Sequence, residues 1–116
     1  VYKRQAKYYA PYYEMIKSMI NVLYKSHSGP VSLIDLHSMP SKPTKYHLDI
    51  NPNQKMTRPD FCVSDIEGLS CTKDYIDYVC HSLSNFSKLV TQNDPYFGGH
   101  VTRHIHATFK NINNIC

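Results

Sequence analysis

The sequence predicts an α/β protein, and three observations predict it. An apolar run from Val31 to Leu36 ends on Asp35-Leu36-His37-Ser38, and near-continuous apolar strands suit a parallel sheet covered on both faces. Segments with helical spacing of apolar residues lie before and after that run. The resulting order, helix–strand–loop–helix–strand, is the pattern of α/β chains.

The first element is a helix over residues 7–24, because Tyr12, Met15 or Ile16, Met19 and Leu23 recur at helical spacing. Pro11 marks its first turn, and Ser26-His27-Ser28-Gly29-Pro30 stops it with Gly and then Pro. The strand over residues 31–37 follows. Residues 38–59 carry four Pro and few apolar groups, so they are expected to form one long loop. Phe61-Cys62-Val63 reads as a short strand closed by the turn Asp65-Ile66-Glu67-Gly68.

A second helix covers residues 72–86, with Tyr75, Ile76, Val79 and Leu83 as its apolar stripe and Asp74 in its first turn. Residues 88–91 read as a second core strand. Next comes Asn93-Asp94-Pro95-Tyr96-Phe97-Gly98-Gly99-His100, whose glycines allow backbone to approach a neighbour closely. The tail from Thr108 begins a final strand.

Composition sets the class. A chain of 116 residues, 41% hydrophobic and 19% charged, is one domain or a piece of one. Mean hydropathy of −0.46 and the lack of any run near ~20 apolar residues argue against a membrane protein. The opening Val1-Tyr2-Lys3-Arg4-Gln5 lacks the apolar run of a signal peptide, and both ends read as cut. Cys62, Cys71, Cys80 and Cys116 have no CxxC spacing, so free thiols in a cytoplasmic protein are expected. The net charge of +4 is mild, with only Lys3, Arg4 and Lys7 clustered, and no nucleic-acid partner is expected.

The strongest site signal is the strand end. Side chains alternate along a strand, so Asp35 and His37 share a face. A carboxylate there can hold an imidazole in one tautomer, as carboxylates do behind metal-bound histidines. Open α/β sheets also bind their ligands beyond the C-terminal ends of strands.

Five stretches, in order and at matching spacing, resemble the N-formylglutamate amidohydrolase family of the zinc carboxypeptidase-like superfamily. They are Tyr8-Tyr9-Ala10-Pro11-Tyr12, Leu33-Ile34-Asp35-Leu36-His37-Ser38-Met39-Pro40, Pro59-Asp60-Phe61-Cys62-Val63, Asp65-Ile66-Glu67-Gly68-Leu69-Ser70-Cys71 and residues 93–103. The resemblance implies a three-layer α/β/α sandwich of the phosphorylase/hydrolase-like type. It also implies Zn2+-assisted hydrolysis of the amide of a small N-acyl amino acid such as N-formylglutamate. His37 stands at the place of one zinc ligand, with Asp35 and Ser38 supporting it. Arg103 is a candidate for the substrate carboxylate, which a planar guanidinium fits bidentately. Asn93, Gly98 and Gly99 are expected to line the same pocket.

The sequence departs from that pattern at several places. It contains no His-x-x-Glu pair for the other two ligands, and no Glu follows Glu67 to serve as general base. Tyr13 stands where the family has His, Ser64 where Gly is typical, and Ile105-His106 where it has Tyr-Gly. Residues 1–116 are therefore expected to be the central part of one amidohydrolase domain, inactive alone, with the rest of the same enzyme as a partner. Asp60 and Asp65 read equally as turn residues or site residues. Two other readings rest on separate residues. One is a metal-binding module in which an extended His104 and His106 share a face beside His100. The other is a basic, Tyr-rich nucleic-acid surface around Lys3, Arg4 and Lys7.

Overall fold

The N-terminal part of the chain is one helical run. In the computed structural model, which describes residues 2–109, 112 and 114–116, α1 (Tyr2–Arg4) passes through a π-helical turn at Gln5–Tyr9 into α2 (Ala10–Ser26). Pro11 lies in the first turn of α2, directly after the π-helical turn in which Ala10 N–H bonds Gln5 O. The helix ends at His27, ahead of Gly29-Pro30, as expected. The residues it buries differ from the expected stripe. Ile20 is buried and Tyr13 and Ile16 are half-buried, whereas Met15 (66%) and Met19 (59%) are exposed. Apolar residues occupy both lines of the helix, and periodicity alone does not say which one is buried.

The chain divides into two compact units, Val1–Val31 and Ser32–Cys116. The second runs β1 (Ser32–Leu33), α3 (Lys45–Ile50), β2 (Phe61–Val63), α4 (Lys73–Ser84), β3 (Val90–Gln92), α5 (His100–Thr108) and β4 (Asn114–Ile115). Both pairings among these strands are parallel. β2 pairs with β3 in the register Phe61↔Val90 and Val63↔Gln92, and β1 pairs with β4 at Ser32↔Asn114 and Leu33↔Ile115. This is an α/β protein of mixed helices and small parallel sheets.

The β2–α4–β3 crossover is the core. Val63, Cys71, Ile76 and Cys116 are buried together, with Tyr75, Val79, Leu83 and Val90 packed against them. The apolar stripe expected of α4 thus faces inward. Asp74 lies in its first turn and Thr72 is its N-cap. Thr72 donates from both N–H (3.3 Å) and Oγ1 (3.1 Å) to the Asn114 side-chain oxygen, which ties the helix start to β4. Ile115, fully buried, is held on both sides: its N–H donates to Ser70 O at 2.8 Å, and its carbonyl accepts from Ser70 Oγ at 2.6 Å.

Three expectations need correcting. The strand over residues 31–37 has only two ladder residues, although Cys116 N–H to Leu33 O and Asp35 N–H to Cys116 O continue the pairing. It is not covered on both faces, since Ile34 (54%) and Leu36 (87%) are exposed. The segment 38–59 is not a continuous loop. Thr44 caps α3 by donating its N–H to His47 Nδ1 at 3.1 Å, a reciprocal cap in which His takes the position usually held by Glu or Gln. The histidines after Gly99 lie on helix α5 rather than on an extended segment.

Candidate active site

β1 carries its polar pair out of the sheet at its C-terminal end. His37 Nε2 lies 2.9 Å from Asp35 Oδ2, so the period-two expectation holds. A carboxylate only accepts, which places the ring proton on Nε2 and leaves the Nδ1 lone pair available. The His37 side chain is 75% exposed and Asp35 21%. The imidazole therefore stands in solvent on a half-buried carboxylate. Ser38 is exposed beside it.

A second cluster forms where β2 and β3 end. Asp65 is buried and without a cationic partner among the described residues; its oxygens accept from Asn93 Nδ2 (2.6 Å), Gly68 N–H (3.0 Å) and Gln92 Nε2 (3.2 Å). Asn93 in turn accepts the Asp65 N–H on Oδ1 at 3.0 Å, and its own N–H donates to Val63 O at 2.9 Å. Asn93 adopts φ +53, a left-handed conformation that Asn tolerates better than most residues. Asp65 is thus a turn-and-loop clamp, and the Asn93 amide is spent on it at both ends. Asp60 accepts from Ser87 Oγ at 2.5 Å.

The loop after Asn93 is pinned to β2. Ser64 Oγ donates to Tyr96 O at 2.6 Å and Cys62 Sγ to the same carbonyl at 3.4 Å. Ser64, the departure from the family's Gly, therefore has a local role. Gly98 has φ +118, and a Cβ there would lie 2.9 Å from Ile66 Cγ1. Only glycine lets the backbone pass at that point. Gly99 is the N-cap of α5. Arg103, on the first turns of α5, is exposed, donates from Nε to Gly98 O at 3.2 Å, and lies 5.5 Å from the Phe97 ring. Asn93, Gly98, Gly99 and Arg103 are thus brought onto one loop–helix junction. No hydrogen bond or ion pair joins His37 to that junction among the described residues.

The described residues contain no group of three His, Cys, Asp or Glu side chains placed to hold a metal ion. His37 belongs to no such group. The extended pairing of His104 with His106 is replaced, because on a helix residues two apart diverge. His100 and His104 come together instead, with ring centroids 5.9 Å apart. Sequence reasoning missed two groups. His47, through Nε2, contacts the Tyr96 hydroxyl at 3.3 Å; the Thr-x-x-His spacing was its only signal. The Cys71 thiol donates to Ile115 O at 3.2 Å in the core, and the neighbouring Cys116 thiol, further helped by burial, pushes Cys71 up while Cys71 draws Cys116 down.

The histidine–carboxylate pair stands at the C-terminal end of a parallel strand, where α/β sheets place their ligands. The chain belongs to the N-formylglutamate amidohydrolase family, whose sequence model matches residues 1–115. Searches of curated proteins and of solved structures gave no match. None of the described helices is long and apolar enough to cross a membrane.

Proposed function

We propose that this chain forms part of a zinc-assisted amidohydrolase that cleaves N-formylglutamate or a related N-acyl acidic amino acid in the cytoplasm. What carries the reading is the Asp35–His37 pair in a chain that the family covers over residues 1–115. In this reading His37 gives one ligand through Nδ1, and Asp35 fixes its tautomer and orientation. The other zinc ligands and the general base come from outside the described residues. Arg103 receives the substrate carboxylate with its two terminal amino groups, while Gly98 and Gly99 let the substrate approach the backbone and Asn93 holds their loop. The complete enzyme has the three-layer α/β/α sandwich of its superfamily, with residues 1–116 as the central part of that single domain.

Formate release from N-formylglutamate tests this in the complete enzyme. Activity is expected to vanish with a zinc chelator, to return with zinc, and to fall by at least ~100-fold in His37→Ala. Activity that survives both treatments sinks the zinc reading. Residues 1–116 alone are expected to release no formate; robust turnover by the pure chain contradicts the assignment of the missing groups. The alternative is a non-catalytic metal-binding or decayed piece, and the lack of a three-ligand group among the described residues speaks against its metal-binding form. It predicts no formate release from any complete form.

A further inference from the structure

Arg58 is almost fully buried, at 6% exposure, yet its charge is not neutralised. Its Nη2 donates to the neutral Gln54 Oε1 at 2.6 Å, and Nε and Nη1 have no hydrogen-bond partner. Among the described residues no carboxylate lies within ion-pair distance of it. The Tyr96 ring, 5.1 Å from Cζ, is the aromatic surface beneath the guanidinium. A face of that kind offsets part of a buried charge and satisfies none of its N–H donors. Buried cations are otherwise paired, because an uncompensated one loses its hydration without return.

Arg58 is one of the residues lining a cavity of about 150 Å³, together with Lys55, Thr57, Thr91, Asp94 and the apolar Leu89. Lys55 and Asp94 pair at 2.7 Å, so their charges cancel and Arg58 supplies the net positive charge. The Thr91 hydroxyl is already donated to the Asp94 carbonyl, whereas Thr57 is exposed. The volume is well below the ~300 Å³ at which small-molecule pockets begin, so it suits a headgroup rather than a whole metabolite.

We propose that this cavity is an oxyanion site, taking a carboxylate or phosphate group against the Arg58 guanidinium and the Thr57 hydroxyl. The planar fork of Arg58 matches two oxygens of such a group, and its side chain turns toward the cavity to bring the unpartnered donors to them. The site is separate from Arg103 and does not rest on the hydrolase reading.

The test is a titration of the full chain, followed by the 15N-edited Nε–H signals of its arginines. Sodium phosphate and sodium acetate are added in separate arms, with sodium chloride at equal ionic strength as reference. One signal, assigned to Arg58 by its loss in Arg58→Lys, is expected to shift saturably with phosphate or acetate and not with chloride. Saturation by phosphate alone assigns a phosphate group, by acetate alone a carboxylate, and by both the shared oxyanion chemistry. Arg58→Met is expected to weaken binding of the effective anion by about tenfold or more. An Arg58 signal that responds to neither anion beyond chloride overturns the proposal, as does equal binding by a folded Arg58→Met. Should that variant not fold, the titration of the unaltered chain decides alone.

Discussion

Asp65→Ala should loosen the junction where β2 and β3 hand over to their loops, and the structure gives its size. Three donors lose their acceptor, but they are not equal. Gly68 is exposed and Gln92 is exposed, so both recover hydrogen bonds to water. Asn93 Nδ2, half-buried and 2.6 Å from Asp65 Oδ1, does not recover as easily. A hydrogen bond to a charged acceptor contributes about 1.5–3 kcal/mol, and relieving the buried carboxylate of its desolvation returns part of the total. The net loss should be about 1–2 kcal/mol, a fall of roughly 0.5–1 M in urea midpoint at the slopes usual for small domains.

The partner substitution is Asn93→Gly, because glycine accepts the φ of +53 that alanine would resist. That change also removes the bond from the Asp65 N–H to Asn93 Oδ1, but it does so in both backgrounds, since the Asp65 backbone is kept. The double-mutant cycle therefore isolates the side-chain pair, for which a coupling of about 1–2 kcal/mol is expected. A coupling within ~0.5 kcal/mol of zero, or an Asp65→Ala chain as stable as the original, would refute the clamp.

Two further predictions concern the loop and the core. Gly98→Ala should destabilise the chain by about 1–3 kcal/mol, because φ +118 and the 2.9 Å approach to Ile66 both oppose a Cβ; an unchanged urea midpoint contradicts this. Stability should also decline as pH rises above 9. Burial raises Cys80 from 9.0 and Tyr75 from 10.0, and the Cys116 thiol and burial raise Cys71, so the folded chain keeps protons that the unfolded chain has lost. Cys116, lowered, acts in the opposite sense. Comparison with Cys80→Ala isolates one share: the variant should lose less stability between pH 8 and pH 10, and equal losses would exclude a Cys80 contribution.

Legibility in the sequence followed the distance over which each feature is decided. The stretch from Phe61 to Leu83 could be read because its strand, turn and helix stripe are each settled within a few residues. The Asp35–His37 contact could be read for the same reason, since it needs only the alternation of a strand. The α3 helix could not, because its cap depends on a histidine acting as Glu or Gln usually does, and that ring is also held by Tyr96, 49 residues away. The helix α5 was hidden by the preceding glycines, which favour a loop until Gly98 is pressed against Ile66.

By itself, then, the sequence determined the α/β class, the family, the β2–α4 core and the pairing of His37 with Asp35. These follow from local periodicity and motif order. Tertiary structure alone decided that Asp65 and Asn93, 28 positions apart, clamp each other. It also decided which residues of α2 are buried and that Arg58 is buried with its charge unanswered. Each of these depends on what distant segments bring against a side chain, and residue order does not specify such encounters until the chain has packed.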